Sequence, residues 1–310
     1  MRAPAVRYRS FLADSARWDG FRFRDGDIVI STPPKCGTTW MQMLCALLVF
    51  QTPTFGRPLG VISPWLDMLT RPRDDVVADL EAQEHRRFIK THTPLDGLPL
   101  DEAVTYICVG RDPRDVALSF GHHMANIEPD AFLRAREAVV GPDEPADRMP
   151  DGPPVIPDSE VERFWAWVEN PAPPTETIAT LRGTLHHLAT FWSQRHRANV
   201  VLFHYGDLQA DLEGQLRRLA SRLEIDVPAS RWPDLVEAAT FDRMRERADD
   251  LAPDTAQRIW RSNQGFFHRG TSGQWRALLD GRDLERYHAR VRELAGPELA
   301  DWVHGDGPLS

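Results

Sequence analysis

A short turn between a predicted strand and a predicted helix carries the residue types that bind an anion. In STPPKCGTTW, Gly37 lets the backbone approach a ligand, Thr38 and Thr39 add hydroxyl donors, and Lys35 supplies a full positive charge. Such a turn also presents the unpaired N–H groups of a helix N-terminus. The pattern indicates a phosphate-binding turn, although Gly37 and the threonines would equally serve to turn the chain and cap the helix. It is not a Walker A sequence, because Gly37 follows the lysine instead of preceding it.

A histidine follows the next predicted strand. The stretch RFIKTHTPLDGLP ends that strand with Lys90, Thr91 and His92, so the side chains of Lys90 and His92 project to the same side. At the carboxyl edge of a parallel sheet, beside the phosphate turn, His92 is placed for proton transfer. The alternative is a surface histidine that pairs with Asp96.

A third stretch, YICVGRDPRDVALSF, adds phosphate-binding side chains. It places Arg111 just after another strand and Ser119 within the helix that follows. A guanidinium fork suits a phosphate dianion, and a serine hydroxyl can donate one more hydrogen bond. An ordinary ion pair of Arg111 with Asp112 or Asp115 is the alternative.

Composition limits the class of protein. The 310 residues include 37 basic and 46 acidic side chains, a balance that argues against nucleic acid or an anionic membrane as the main partner. The N-terminus has no apolar signal region, and the apolar stretch around 43–50 is too short to span a bilayer, so a cytoplasmic soluble protein is expected. Three cysteines without C-x-x-C spacing indicate reduced thiols and no zinc site.

The order of elements predicts a P-loop-like, doubly wound parallel α/β sheet within a single domain, residues 1–310. Short apolar runs without strict alternation predict buried parallel strands at 28–31, 87–90, 104–110 and 200–204. Helical patterns cover 38–50, 113–124, 180–197, 211–223 and 283–294.

The proline-rich segment from Ala125 to Thr175 interrupts this alternation and predicts an inserted lid on the acceptor side. It carries Phe164, Trp165 and Trp167, which would bury the apolar skeleton of an acceptor or stack on its sugar rings. The same aromatics at helical spacing would otherwise fill the core side of an amphipathic helix. In that case the pocket is expected nearer Trp65.

Six stretches occur in the order and spacing of one known family: PPKCGTTW, KTH, RDPRDVALS, FHYGDL, ATFDRM and FFHRGTSGQW. Over residues 27–302 the chain resembles the cytosolic-type sulfotransferases, which use 3′-phosphoadenosine 5′-phosphosulfate (PAPS) as sulfuryl donor. SPWLD and the stretch from His85 to Asp115 look most similar to bacterial glycolipid sulfotransferases. The resemblance implies a hydroxyl of a bulky acceptor, such as a glycolipid, as the second substrate.

The resemblance also implies roles for individual residues. Around the 5′-phosphosulfate and the adenine it implies Lys35, Cys36, Gly37, Thr38, Thr39 and Trp40. At the 3′-phosphate it implies Arg111, Ser119, His268, Arg269 and Gly270. On the adenine side it implies Tyr205, Thr240, Phe241 and Met244. His92 would be the catalytic base, with Lys35 and Lys90 stabilising the charge of the departing 3′,5′-bisphosphoadenosine (PAP).

Four departures from the family pattern matter. Cys36 replaces serine, which removes a hydroxyl donor but leaves a backbone N–H. His268 replaces arginine, which makes binding of the 3′-phosphate more dependent on pH. Gly206 replaces an acidic residue, with an effect that the sequence does not define. The family has a C-terminal dimer motif of the form K-x-x-x-T-V-x-x-x-E. The corresponding stretch, RALLDGRDLE, keeps only a basic residue, Arg276, and the acidic Glu285, so the oligomeric state stays open.

Two other functions remain possible at this stage. A Mg²⁺-dependent phosphotransferase of related fold would share the sheet and the phosphate turn, but it needs a strand-end aspartate that the sequence does not offer. A non-catalytic nucleotide-binding module would share the binding residues but has no need of Lys35, Lys90 and His92 together. Sulfuryl transfer needs no metal, because the lysines neutralise the departing group.

Overall fold

Four short strands form the sheet that positions the site. In the computed structural model, which describes residues 1–141, 157–253 and 257–305, the strands are β1 (Ile28–Ser31), β2 (Phe88–Thr91), β3 (Thr105–Gly110) and β4 (Val200–His204). All pair in parallel in the order β2-β1-β3-β4, with Ile30 opposite Lys90. The predicted parallel sheet is confirmed, and each predicted strand lies within one residue of the observed one.

Both faces of the sheet are covered, as a doubly wound fold requires. Alternate residues of β3 separate into two apolar clusters: Tyr106 and Cys108 pack on one face, and Ile107 and Val109 on the other. Because every residue of the strands faces a layer of helices, the strands read as continuous apolar runs instead of alternating ones.

Helices fill both layers, and most of the longer ones were predicted to within a few residues. Their bounds are α1 (Thr38–Phe50), α2 (Leu59–Ile62), α3 (Arg73–Glu81), α4 (Pro113–Ala125), α5 (Pro129–Val140), α6 (Glu160–Glu169), α7 (Leu181–Trp192), α8 (Tyr205–Ala210), α9 (Leu212–Arg222), α10 (Trp232–Ala238), α11 (Phe241–Glu246), α12 (Ala248–Leu251), α13 (Asn263–Phe266), α14 (Gly281–Leu294) and α15 (Pro297–His304). Asp112 caps α4 by accepting from the Arg114 N–H, with Pro113 in the first turn, as predicted.

The prediction of irregular structure is wrong for the described part of 125–175, because α5 and α6 lie there. Residues 142–156 fall outside the described residues. On α6, Phe164 and Trp167 are buried in the core cluster beside α4 and α14. Trp165 is held at the edge of that cluster, where its Nε1 donates to Asp283 at 3.2 Å. These aromatics therefore form the core side of an amphipathic helix, which was the alternative interpretation.

Candidate active site

The site lies where the order of strands reverses. β1 is followed in the chain by β2 on one side, and β3 then pairs on the other side of β1. The connections that leave the carboxyl ends of β1 and β3 therefore diverge and open a crevice, the usual position of ligands in open α/β sheets. The phosphate turn follows β1, and Arg111 follows β3.

The phosphate turn is built from two left-handed residues. Lys35 has φ 67° and Gly37 has φ 97°. A Cβ at Gly37 would lie 3.0 Å from the ring of Tyr205, so glycine lets the turn pack directly against that ring. The Thr38 hydroxyl is 2.5 Å from the Thr32 hydroxyl, which ties the start of α1 to the end of β1.

Cys36 does not point into the crevice. Its thiol is buried in the core cluster, burial raises its pKa to about 12, and its N–H donates to the Pro33 carbonyl at 3.3 Å. The loss of a serine hydroxyl here therefore removes no donor from the crevice. The expectation that the Cys36 N–H stays available also changes, because the turn itself uses that group.

Lys35 reaches across the crevice to α4. Its Nζ lies 3.3 Å from Nδ1 of His123 and 4.8 Å from the ring centre of Phe266. Burial, reinforced by the charges of Arg111 and Lys90, lowers the pKa of Lys35 to about 7. Near pH 7 Lys35 is therefore only partly charged, and a bound anion would stabilise its ammonium form.

His92 is a buried histidine with a fixed tautomer. Its Nδ1 lies 2.6 Å from the Thr32 carbonyl oxygen, which can only accept, so Nδ1 carries the proton and Nε2 keeps a lone pair. Burial and the charge of Lys90 hold the pKa of His92 well below its usual range, so the imidazole is neutral at pH 7. The surface pairing with Asp96 is wrong, because Asp96 instead accepts from the Tyr8 hydroxyl at 2.7 Å.

Lys90 and His92 do lie on one side, and Trp65 contacts both. The Lys90 Nζ sits 4.3 Å from the centre of the Trp65 ring, and the His92 ring meets the indole edge-on at 4.6 Å. The indole therefore sets the positions of the two groups relative to each other.

Arg111 joins the phosphate turn to the C-terminal loop. Its guanidinium donates to the carbonyls of Lys35 at 2.9 Å and Thr271 at 3.1 Å and lies 4.2 Å over the Tyr205 ring. The alternative ion pairs are absent among the described residues' salt bridges. Asp112 binds Arg114, and Asp115 accepts from two backbone N–H groups of the C-terminal loop.

Polar atoms in the crevice lack partners. Within the described residues, Arg111 Nε is buried with no hydrogen-bond partner, and so is His268 Nε2. An orphaned donor on a guanidinium is costly unless an anion accepts from it. Both atoms can donate to a phosphate group, and a 3′-phosphate site here stays a prediction.

The remaining residues of the 3′-phosphate set are placed unequally. His268 stacks on His122 with ring centres 3.9 Å apart, and burial lowers its pKa. Gly270 packs under Phe241, where a Cβ would lie 2.3 Å from the ring. Arg269 is exposed, with Nη1 3.3 Å from Gln274 Oε1. Ser119 is half-buried on α4, one turn before the histidine that contacts Lys35.

Aromatic side chains line the predicted adenine side of the crevice. Trp40 meets Tyr205 edge-on at 5.3 Å, and its Nε1 donates to the Ala239 carbonyl at 2.9 Å. Thr240 directly precedes α11. Within that helix Phe241 is half-buried and Met244 is buried in the core. Thr39 is buried at the start of α1.

Comparison with known proteins identifies the family. The family model described as the sulfotransferase domain matches residues 25–301. The chain belongs to the sulfotransferase family. It is 48% identical over 307 residues to a glycolipid sulfotransferase of Mycobacterium bovis, with 96% of this chain and 94% of that protein covered. A glycolipid sulfotransferase of Mycobacterium tuberculosis shows the same identity and coverage.

Solved structures share the fold of this sulfotransferase. A retinol dehydratase in complex with androsterone and the inactive cofactor PAP superposes with a TM-score of 0.67 at 20% identity, over 90% of this chain and 83% of that one. The predicted family and fold are thereby confirmed. In the described parts of the chain, no helix combines the length and apolarity needed to cross a membrane.

Three contributors to this sulfotransferase site were not predicted. No role was predicted for His122 or His123, yet His122 stacks on His268 and His123 contacts Lys35. Their position on the Ser119 face of α4 was the available signal. Asp67 accepts a hydrogen bond from Trp65. No sequence pattern marks it as a site residue, because its other partners, such as Thr91, are distant in the sequence.

Proposed function

We propose that this sulfotransferase moves the sulfuryl group of PAPS to a hydroxyl of a bulky, partly apolar acceptor such as a glycolipid. The observation that carries the proposal is His92, a neutral imidazole with its lone pair on Nε2, held beside Lys90 and near Lys35. The 48% identity to proteins named glycolipid sulfotransferases supports the acceptor class.

The crevice fits the donor. PAPS is a polyanion with an adenine base, and its bound form supplies the sulfuryl group. The phosphate turn and Lys35 would hold the 5′ side, and the orphaned nitrogens of Arg111 and His268 would donate hydrogen bonds to the 3′-phosphate. The Trp40 and Tyr205 rings provide the apolar surface for the base.

The chain's own groups divide the chemistry. Nε2 of His92 takes the proton of the acceptor hydroxyl as that oxygen attacks, a role that typically contributes ~10²–10⁴-fold in rate. Lys35 and Lys90 stabilise the negative charge that develops on the departing oxygen. Burial strengthens these interactions because water is excluded.

The acceptor is proposed to enter beside Trp65 instead of beside α6. A small recess is lined by Trp65 and Lys90 together with the apolar Leu59 and Leu251. Gln42, which also lines the recess, donates to the Ser63 carbonyl and hydroxyl. A recess that combines apolar side chains with Lys90 suits a partly apolar molecule whose hydroxyl must reach His92.

An acceptor screen with radiolabelled PAPS tests the proposal. Label should pass to lipophilic hydroxyl compounds, glycolipids among them, and full activity should persist in EDTA. Adenosine 5′-phosphosulfate should be a poorer donor, because it lacks the 3′-phosphate. Turnover that requires Mg²⁺ and uses ATP would favour a phosphotransferase, and PAP binding without turnover of any acceptor would favour a nucleotide-binding module.

A further inference from the structure

Asp67 is a fully buried carboxylate that the proposed chemistry does not use. It accepts four side-chain hydrogen bonds: from Trp18 Nε1 at 3.0 Å, Trp65 Nε1 at 2.5 Å, Thr91 Oγ1 at 2.5 Å and Thr93 Oγ1 at 2.6 Å. Its relative exposure is 0%. A buried carboxylate is kept only where such donors compensate its loss of water, so its partners indicate its purpose.

Three of these four donors hold the proton-transfer site. Thr91 and Thr93 are the chain neighbours of His92, so Asp67 fixes the backbone on either side of that residue. Trp65 is the indole that contacts both His92 and Lys90. One carboxylate thus ties the strand end that carries the histidine to the ring that packs against it.

We propose that Asp67 is a positioning residue for sulfuryl transfer, acting through Trp65, Thr91 and Thr93 to hold His92 and Lys90 in their working arrangement. The inference rests on the proposed function, since it takes His92 as the base. Asp67 itself touches neither substrate. Its effect is on the position of the Nε2 lone pair, where an error of about 1 Å can cost ~10²-fold in rate.

The two oxygens of Asp67 are not equivalent, and this makes the inference testable. Oδ1 accepts only from Trp65, whereas Oδ2 accepts from Trp18, Thr91 and Thr93. In Asp67→Asn the single amide oxygen meets more donors at the Oδ2 position. The amide NH₂ group then faces the Trp65 N–H, donor against donor, and displaces the indole.

The expected result is a loss confined to the chemical step. Asp67→Asn should lower kcat by about 10- to 100-fold while the Kd for PAP stays within about twofold. In a Trp65→Phe background the same substitution should change kcat by less than about twofold, because phenylalanine has no N–H to be displaced. An equal loss of kcat in both backgrounds would overturn the role of Trp65 in the inference.

A matched control separates positioning from folding. Asp27 is also buried and bonds Arg87, with the Nε–Oδ1 distance at 2.9 Å, but it precedes β1 at the opposite end of the strand. Asp27→Asn should lower the melting temperature without changing kcat at temperatures where the protein is folded. If Asp67→Asn behaves in the same way, Asp67 is only structural and the inference is wrong.

A readout independent of turnover separates this inference from the proposed function. The ring ¹H and ¹⁵N resonances of His92 report its surroundings, because the Trp65 ring lies edge-on against the imidazole. In Asp67→Asn these resonances should shift as the indole moves, while the Nδ1–H tautomer set by Thr32 is kept. Full activity of His92→Ala would refute the base assignment. The resonances would still decide on Asp67, since unshifted His92 resonances in Asp67→Asn would overturn its positioning role.

Discussion

The affinity for PAP should fall steeply as the pH rises above 7, because binding recharges Lys35. In the free protein, burial and the nearby cations lower the pKa of Lys35 from 10.5 to about 7. A bound phosphate favours the ammonium and raises that pKa again. Below pH 7 the lysine is already charged, whereas above pH 7 binding must take up a proton.

The size of the effect follows from linkage. If the pKa in the complex lies well above 9, the apparent Kd grows as 1 + 10^(pH − 7), which is about 50-fold, or about 2.3 kcal/mol, between pH 7 and pH 9. At pH 8 each binding event should take up about 0.9 proton. In the free protein the pKa of Cys36 is about 12, so its thiol is neutral across this range, and the pKa of His268 lies below its usual value, so its imidazole is already neutral at pH 7.

Isothermal titration calorimetry in buffers of different ionisation enthalpy measures both quantities. Lys35→Arg keeps its charge at every pH in the range and should bind with little pH dependence. Lys35→Met should bind weakly and also without pH dependence. A wild-type Kd that is constant from pH 7 to pH 9, with no proton uptake, would refute the reasoning about Lys35.

Three further predictions address the base, the 3′-phosphate and α6. His92→Ala should abolish turnover with PAP affinity nearly intact, and a near-normal kcat in this variant would exclude His92 as the base. In the wild type, kcat should persist well below pH 6.5, because His92 stays neutral there. Arg111→Ala should narrow the preference for PAPS over adenosine 5′-phosphosulfate by about 1.5–3 kcal/mol, measured as the ratio of kcat/KM values. Phe164→Ala should lower the free energy of unfolding by about 3–5 kcal/mol, measured by urea denaturation, with acceptor preference unchanged. Leu251→Ala, in the proposed recess, should instead raise the acceptor KM. If Phe164→Ala changed the acceptor KM and Leu251→Ala changed only stability, the acceptor would bind beside α6.

The sequence was informative where a short stretch decides the structure. β1, β4 and α1 have the predicted bounds, since each is an apolar run that ends at a turn or a cap. α5 and α6 were missed because prolines were read as breaks. Pro129, however, occupies the first turn of α5, where its missing N–H costs nothing.

In the site, too, features set by a short stretch of sequence were predicted, and features set by distant residues were not. The phosphate turn, Lys90 and His92 are local patterns and were recognised as candidates. The tautomer of His92 depends on Thr32, 60 residues away, and Thr91 depends on Asp67, 24 residues away. At Cys36 the comparison of residue types led to a wrong expectation, namely the loss of a hydroxyl donor. The backbone around the turn directs that side chain into the core.

Burial acts on Lys35 and His92 in the same direction but with opposite consequences for the reaction. It lowers the pKa of both residues. His92 thereby keeps its Nε2 lone pair unprotonated throughout the physiological range, whereas Lys35 is only partly charged near pH 7. Because a bound anion raises the pKa of Lys35 again, Lys35 becomes fully cationic at pH 7 when the donor is present. Proton uptake should therefore accompany the binding of PAP and should not accompany the binding of an uncharged acceptor to the free protein.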